Sequence, residues 1–243
     1  MIGTWINVGA ILLGALMGIA TRVNLSAGTQ QFLKVLLGVA TTWFGLKLCW
    51  HGLASRDVKW FFYQLLVVLT AMVLGHLLGK ICRIQSLFNR IGSLAKTKLE
   101  KASQRGPNAG SDGFLAATIL FCAAPLGIVG ALEDGFQSYF APLAIKAVMD
   151  GLAAFSFARM FGWTVLFSAV PLTAFLSLLT VLAWRAEPWL SAHEVIGVVH
   201  ASAGLITTYV TLVIFEVRKV ELANYLPSLI VAPVLMKLLR LLL

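Results

Sequence analysis

The stretch APLAIKAVMDGLAAF, residues 141–155, is apolar except for two opposite charges, Lys146 and Asp150. On a helix, residues four apart lie on one face with about 6 Å between their Cβ atoms, so the two side chains can pair. A lone charge at the centre of a membrane span costs about 2.5–3.5 kcal/mol, and such groups face a protein interior or water. The stretch therefore predicts a membrane helix whose charged face is covered by other helices.

The rest of the chain has the composition of an integral membrane protein. Of its 243 residues, 59% are hydrophobic and 12% are charged, whereas soluble domains carry about 25% charged residues. Several apolar runs reach about 18–20 residues, enough for a helix to cross about 30 Å of hydrocarbon, and none alternates as a barrel strand does. We therefore predict an all-α polytopic membrane protein, with residues 1–243 forming a single integral membrane domain.

Seven apolar runs predict seven membrane spans, and an eighth run follows them. The seven lie at residues 2–20, 30–51, 60–81, 114–132, 139–161, 163–184 and 195–215, and the eighth runs from 225 to the C-terminus. Pro227 and Pro233 interrupt the eighth run, and each proline removes a backbone donor and disrupts the preceding turn. The eighth run is therefore either a broken span or a re-entrant hairpin.

A basic segment between the third and fourth spans sets the predicted topology. Seven of the eight charged residues from Lys80 to Arg105 are basic, and Lys and Arg are enriched in cytoplasmic loops. Counting spans from this segment places the N-terminus outside. The other loop charges then fall inside at Arg22, Arg159, Arg218 and Lys219, and outside at 56–59, 133–134 and 185–194.

Residues 83–112 of this segment are predicted to form a basic amphipathic element at the cytoplasmic surface. Apolar residues recur at spacings of three and four from Ile84 to Leu99, and Arg and Lys fill the other face, which is the pattern of a helix lying in the interface. Each basic residue near an anionic surface contributes about 1 kcal/mol. Anionic lipid is thus a predicted partner, although a linker helix that only holds the topology explains the pattern equally well.

The stretch FCAAPLGIVGALEDGF at residues 121–136, which includes the second half of the fourth span, combines a proline with glycines and carries two acids, Glu133 and Asp134, near its end. Pro125 predicts a bend or break at membrane depth. A broken helix exposes unpaired carbonyls and amides that are tolerated only inside protein or along a cavity, and transporters place their sites there. Further prolines suggest similar breaks in the fifth, sixth and eighth spans: Pro142, Pro171, Pro227 and Pro233.

One more polar group completes the candidate site. Asn7 lies near the start of the first span, where an amide facing lipid is costly and therefore bonds another helix or a ligand. The candidate residues for binding a small ion or solute are Lys146, Asp150, Pro125, Asp134, Glu133 and Asn7. A structural ion pair that only fixes helix packing is the alternative interpretation of the two charges.

Catalytic and metal-binding patterns are missing from the sequence. It contains no GxSxG, HExxH, P-loop or Rossmann glycine pattern, and its three cysteines show no CxxC spacing. The net charge of +9 is concentrated in the basic segment beside the membrane, which argues against nucleic acid as the partner. We predict neither an enzyme nor a cofactor or metal site.

Two patterns bear on how the helices pack. Gly14 with Gly18 and Gly75 with Gly79 form GxxxG pairs, which allow close helix contact within one chain or in a homodimer. GVATTWFGL at residues 38–46 and GLITTYVTL at residues 204–212 share five positions on spans that run in opposite directions. This echo suggests an inverted repeat, although chance agreement between apolar helices explains it equally well.

Three blocks of the sequence resemble a known family. They are IGTWINVGAILLGALMG at residues 2–18, ILFCAAPLGIVGALEDGF followed by KAVMDG in the middle, and NYLPSLIVAPVL at residues 224–235. They are similar to the YqgA/YdfK-like bacterial membrane proteins, a domain-of-unknown-function family (DUF554). The resemblance implies a multi-span protein of the bacterial inner membrane with no assigned substrate. We therefore expect a transporter or facilitator of a small ion or solute, or else a non-transporting scaffold.

Overall fold

A computed structural model describes residues 1–21, 26–54, 57–105, 110–217 and 220–242. Four charges used for the predicted topology, Arg22, Arg56, Arg218 and Lys219, lie outside these ranges, as do residues 106–109 of the predicted basic element. The described helices are α1 Ile2–Ala20, α2 Ala27–Leu53, α3 Val58–Ile81, α4 Ile84–Arg105, α5 Gly110–Cys122, α6 Pro125–Gln137, α7 Ala141–Phe161, α8 Ala169–Ala192, α9 Ile196–Ile214 and α10 Ser228–Leu242. No strand occurs in these ranges, which confirms the all-α prediction.

The long apolar helices suit a membrane. Six segments of the described chain are long and apolar enough to cross one, or seven if the bent pair α5–α6 counts as a single span. The longest of them, Ala141–Ala192, holds both α7 and α8 and has 52 residues. That length corresponds to about 78 Å of helix, far more than the roughly 30 Å of hydrocarbon, so the chain must turn within it.

The predicted break in the fourth span is confirmed. Helices α5 and α6 meet at an angle of 58°, because Ala124 is extended and Pro125 starts α6 at a first-turn position. Pro fits there since its missing N–H is unpaired in any helix start. The expectation of similar breaks in other spans is wrong: the remaining prolines lie in first turns, before a helix or inside a continuous one, at Pro142, Pro171, Pro227 and Pro233.

The chain forms two compact units, one of Met1–Gln30 with Leu87–Leu182 and one of Gln31–Ser86 with Ala183–Leu243. In unit 1, α1 and α7 run parallel in close contact. A Cβ atom placed on Gly3 would lie 2.7 Å from Leu143, one on Gly14 would lie 2.1 Å from the Gly151 carbonyl oxygen, and one on Gly18 would lie 2.3 Å from that of Phe155. The first GxxxG pair is therefore used within the chain.

Helices α7 and α8 of unit 1 run antiparallel. Lys146 on α7 and Leu176 on α8 both lie within 4 Å of a Cβ atom placed on Gly127, although a straight helix would separate them by about 45 Å. The reversal takes place in the 3₁₀ helix Gly162–Ser168, which starts at Gly162 with a positive φ of 74°. Spans five and six of the prediction are thus two separate helices.

Helix α4 carries the basic segment. Its small residues Ala95 and Ala102 are buried, whereas Leu87 and Leu94 are 57% and 60% exposed. The Lys98 ammonium lies 2.8 Å from an Asp112 carboxylate oxygen and ties α4 to α5. The structure confirms a helix in this segment. Its contact with anionic lipid stays a prediction, and the exposed leucines are compatible with it.

In unit 2, α10 is one continuous helix antiparallel to α3. A Cβ atom placed on Gly75 would lie 2.5 Å from Ser228, and one on Gly79 would lie 2.2 Å from Asn224. At the other end of α10, Arg240 pairs with Glu194 just before α9 begins. The chain does not reverse between Pro227 and Pro233, so the re-entrant hairpin is wrong.

Unit 2 also contains the two segments that echo each other. They lie on α2 and α9, which run antiparallel: Gly38 contacts Phe215, Gly45 contacts Gly204, and Gly52 contacts Gly197. Four of the five threonine hydroxyls of these segments donate to carbonyl oxygens of their own helices. These four hydroxyls are therefore satisfied locally.

Contacts between the two segments are symmetric. The echo equates Gly38 with Gly204, Thr42 with Thr208, and Gly45 with Thr211. Thr42 Oγ1 lies 3.0 Å from Thr211 Oγ1, and the equivalent contact places Gly45 against Thr208 Oγ1. Likewise Gly45 contacts the Gly204 carbonyl oxygen, and its equivalent joins the Thr211 hydroxyl to the Gly38 carbonyl. Any two antiparallel helices in contact produce paired contacts of this kind, so the symmetry is compatible with the inverted repeat, which stays a prediction.

The repeat extends beyond the echo. Gly204 lies 166 residues after Gly38, and the same offset carries the starts of α1, α2 and α3 to within four residues of the starts of α8, α9 and α10. The three helices at each end of the chain are therefore the segments that an inverted repeat would relate, with helices α4 to α7 between them, and the repeat stays a prediction.

Candidate functional site

The charged pair of α7 is buried within unit 1. Lys146 is 2% exposed and Asp150 is 8% exposed, and the Lys146 ammonium donates to Asp150 Oδ2. The four-residue spacing on one helix face explains the contact, because the side chains need no other element to bring them together. Pairing lowers the cost of burying both charges but leaves the remaining ammonium protons and carboxylate lone pairs in need of partners.

The break between α5 and α6 lies directly beside this pair. A Cβ atom placed on Gly127, in the first turn of α6, would lie 2.8 Å from Lys146 Cε. Cys122, the last residue of α5, is close enough to interact electrostatically with both Lys146 and Asp150. The Gly127 amide donates to the Ala124 carbonyl oxygen, and the end of α5 and the start of α6 carry opposite partial charges. One small region therefore holds donors and acceptors of both signs.

Asn7 approaches the same region from α1. The close glycine contacts between α1 and α7 place its amide beside the Asp150 carboxylate. The side chain is fully buried, and its amide group interacts with the Asp150 carboxylate. Its Oδ1 atom has no hydrogen-bond partner of normal geometry among the described residues, so Asn7 adds one unmet acceptor to the neighbourhood of the pair.

Glu133 and Asp134 lie at the other end of α6, about 10 Å along the helix from Gly127. Asp134 Oδ2 accepts a hydrogen bond of 3.1 Å from the Gly3 amide and lies 3.2 Å from the Met1 amino nitrogen. Burial, with a smaller contribution from the Glu133 carboxylate, raises the pKa of the Tyr139 phenol to about 12. The two acids thus form a group separate from the charged pair.

The six residues singled out in the sequence therefore fall into two groups. Lys146, Asp150, Asn7 and the helix start at Pro125 lie together, and Glu133 with Asp134 lie near the start of α1. Three further residues were missed: Thr4, Cys122 and Thr180. Thr4 is buried three residues before Asn7 on α1, and Thr180 is buried one turn after Leu176 on α8. Only Thr4 had a sequence signal, its helical spacing from Asn7.

Comparison with known proteins shows which family the chain belongs to. The profile of the family described as "Protein of unknown function (DUF554)" matches residues 2–237. The chain belongs to this family. It is 24% identical to the "Uncharacterized membrane protein YdfK" of Bacillus subtilis (strain 168) over 96% of this chain and 95% of the relative. It is 28% identical to the "Uncharacterized protein YqgA" of Escherichia coli (strain K12) over 96% of this chain and 94% of the relative.

No solved structure matches this chain. The family profile and both relatives extend over nearly its whole length, so nearly all of the described helices belong to the shared region. A relative named as a membrane protein and six or seven apolar helices together make this a multi-pass membrane protein of the DUF554 family.

Proposed function

We propose that this protein carries, or facilitates the passage of, a small ion or solute across the bacterial inner membrane, with its N-terminus outside. The observation that supports this proposal is the position of the α5–α6 break beside the buried Lys146–Asp150 pair. Each feature is costly at membrane depth, and their coincidence is the arrangement in which transporters bind substrates.

Neither the buried ion pair nor the break between α5 and α6 is explained by a contribution to the stability of the fold. A buried ion pair is commonly replaced by packed apolar residues with no loss of stability or with a gain of about 1–4 kcal/mol. A break in a span leaves backbone groups unpaired, each costing several kcal/mol unless another group satisfies it. A solute that bonds to the charged pair and to the unpaired backbone groups removes the free-energy cost of both. Binding a solute is therefore favoured at this site.

Each candidate residue offers a different chemical group to a bound solute. Asp150 offers a carboxylate and Lys146 an ammonium, while Asn7 offers an amide donor and acceptor. The start of α6 at Pro125 contributes backbone amides at the positive end of the helix dipole. Glu133 and Asp134, about two helical turns away, belong to the route rather than to the binding centre. No catalytic step is part of this proposal.

A structural role for the pair is the second candidate function. It is favoured by the tight packing around Gly127, where the Lys146 methylenes and Leu176 both lie within 4 Å of a Cβ atom placed on that glycine. In a scaffold protein this packing would be the whole purpose of the pair, and the centre of unit 1 would remain dry.

The double variant Lys146→Met with Asp150→Leu separates the two functions. It removes both charges at nearly constant volume, so the fold is expected to persist. The ligand is first sought by thermal shift of the wild-type protein with ions, amino acids and polyamines. On the transport proposal, the variant then loses that ligand's thermal shift and its flux in proteoliposomes.

A matched control neutralises another ion pair of unit 1, with Lys98→Met and Asp112→Leu. This pair joins two charges at 2.8 Å but lies at the opposite end of α5 from Cys122 and the Lys146–Asp150 pair, so flux should persist. Unchanged flux in the Lys146→Met and Asp150→Leu variant would contradict the transport proposal and leave the scaffold.

A further inference from the structure

We propose that the site opens to water along the face of α1 that carries Thr4 and Asn7, from the end of unit 1 where α1 and α7 begin. The inference rests on the proposed function, since it describes how the Lys146–Asp150 region is reached. It concerns unit 1 alone and predicts one open side and one closed side.

Polar groups follow one another along this face of α1. Asp134 Oδ2 accepts from the Gly3 amide, Thr4 is the next residue, and Asn7 follows after three more. Thr4 and Asn7 are about 4.5 Å apart along the helix axis, and Asn7 lies beside Asp150. A short series of polar side chains thus connects the start of α1 with the charged pair.

Several atoms in this series have unmet hydrogen-bonding capacity. Thr4 is 1% exposed and Asp134 is 2% exposed. Thr4 Oγ1, Asp134 Oδ1 and Asn7 Oδ1 have no hydrogen-bond partner of normal geometry among the described residues. Leaving one buried polar group unsatisfied costs about 1–3 kcal/mol. Water satisfies such groups where the site is polar and has several partners to offer.

The polar series stops at the charged pair. The next buried residues of α1, Val8, Ile11 and Ala15, are apolar, and they belong to a hydrophobic cluster that includes Phe121 and Ala154. Apolar surroundings of this kind stay dry. Access along α1 is therefore open from one end only.

The charges along this face of α1 nearly cancel, and this balance determines which molecules can enter the route. Asp134 faces the Gly3 amide and the Met1 amino group, and Asp150 faces Lys146. Glu133, beside Asp134 in sequence, is the remaining buried acid of this end. The route suits water and small polar solutes, and apolar molecules would leave its donors and acceptors unpaired.

Cysteine accessibility tests this route. Thr4→Cys, Asn7→Cys and Ile11→Cys are made in a protein with Cys49, Cys82 and Cys122 replaced by serine, and each folded variant is treated in proteoliposomes with a hydrophilic methanethiosulfonate. We expect labelling at positions 4 and 7 from the side where α1 begins, with position 4 the faster, and loss of labelling at position 11. No labelling at 4 and 7, or labelling only from the opposite side, would overturn the proposal.

Radiolytic footprinting of the wild-type protein covers the case in which a variant fails to fold. Hydroxyl radicals formed from bound water oxidise neighbouring buried side chains. Both Leu143 and Leu172 are buried in the apolar cluster, but Leu143 also contacts Gly3 and Gly130 at the end where α1 begins. Leu143 should therefore be oxidised and Leu172 protected. Equal protection of both leucines would refute a hydrated face. Labelling without flux would overturn only the transport proposal, and flux without labelling only this route.

Discussion

Replacing Gly14 with alanine tests whether the close crossing of α1 and α7 holds unit 1 together. The new Cβ atom would lie 2.1 Å from the Gly151 carbonyl oxygen, and ordinary contacts begin at 3.4 Å, so the helices would have to separate by about 1.3 Å. A radial gap of 0.5–1 Å already forfeits about a quarter to a half of the dispersion energy of each contact. Because the clash is with backbone, no rotamer change relieves it.

Gly9 on the same helix is the matched control, because a Cβ atom there would meet nothing within 4 Å. Alanine improves helix propensity at both positions by about 0.8–1 kcal/mol, so this contribution cancels in the comparison. We expect Gly14→Ala to have a free energy of unfolding lower than Gly9→Ala by about 1–3 kcal/mol, the cost of overpacking.

The assay is equilibrium unfolding of the purified variants in mild detergent, followed by loss of helical circular dichroism. Equal free energies of unfolding for Gly14→Ala and Gly9→Ala would refute the close crossing. The placement of Asn7 beside Asp150 would then lose its structural basis as well.

Four other predictions follow from the fold. Lys146→Met alone should lower the free energy of unfolding by about 3–5 kcal/mol, since it strands the Asp150 charge, and adding Asp150→Leu should restore most of it; a double variant weaker than the single would contradict the pairing. Exposed Cys82, beside the basic segment, should react with an impermeant maleimide only in inside-out vesicles, and reaction in spheroplasts would invert the topology. Thr42→Val and Thr211→Val should each cost about 1 kcal/mol with a coupling in the double variant, whereas strict additivity would argue against their hydrogen bond. A homodimer remains a prediction, and native mass spectrometry that shows only monomers in mild detergent would remove it.

Part of the candidate site follows from local pattern. The contact of Lys146 with Asp150 depends on four residues of one helix, and the break at Pro125 depends on the chemistry of one proline. Both were predictable because no distant residue takes part in either. The neighbourhood of Asn7 was not predictable, since its position beside Asp150 depends on how Gly14 meets Gly151.

The GxxxG pairs also show that a sequence pattern does not identify a distant contact partner. Their spacing predicts a close helix contact but not its partner. In the structure Gly14 and Gly18 face α7, and Gly75 faces the start of α10. The homodimer therefore finds no support in these glycines, because each pair is already occupied within its own unit.

The sequence by itself determined the membrane class, the helices and the charged pair, since run length, composition and helical spacing are properties of neighbouring residues. Only the tertiary structure decided that α10 crosses unit 2 without a hairpin, that the break lies beside Lys146, and that Thr4 and Asp134 extend the polar face. These depend on contacts between residues far apart in the chain, such as the Gly3 amide and Asp134, which are 131 residues apart. Many partners would satisfy the local pattern of an apolar helix, and only packing of the whole unit selects one.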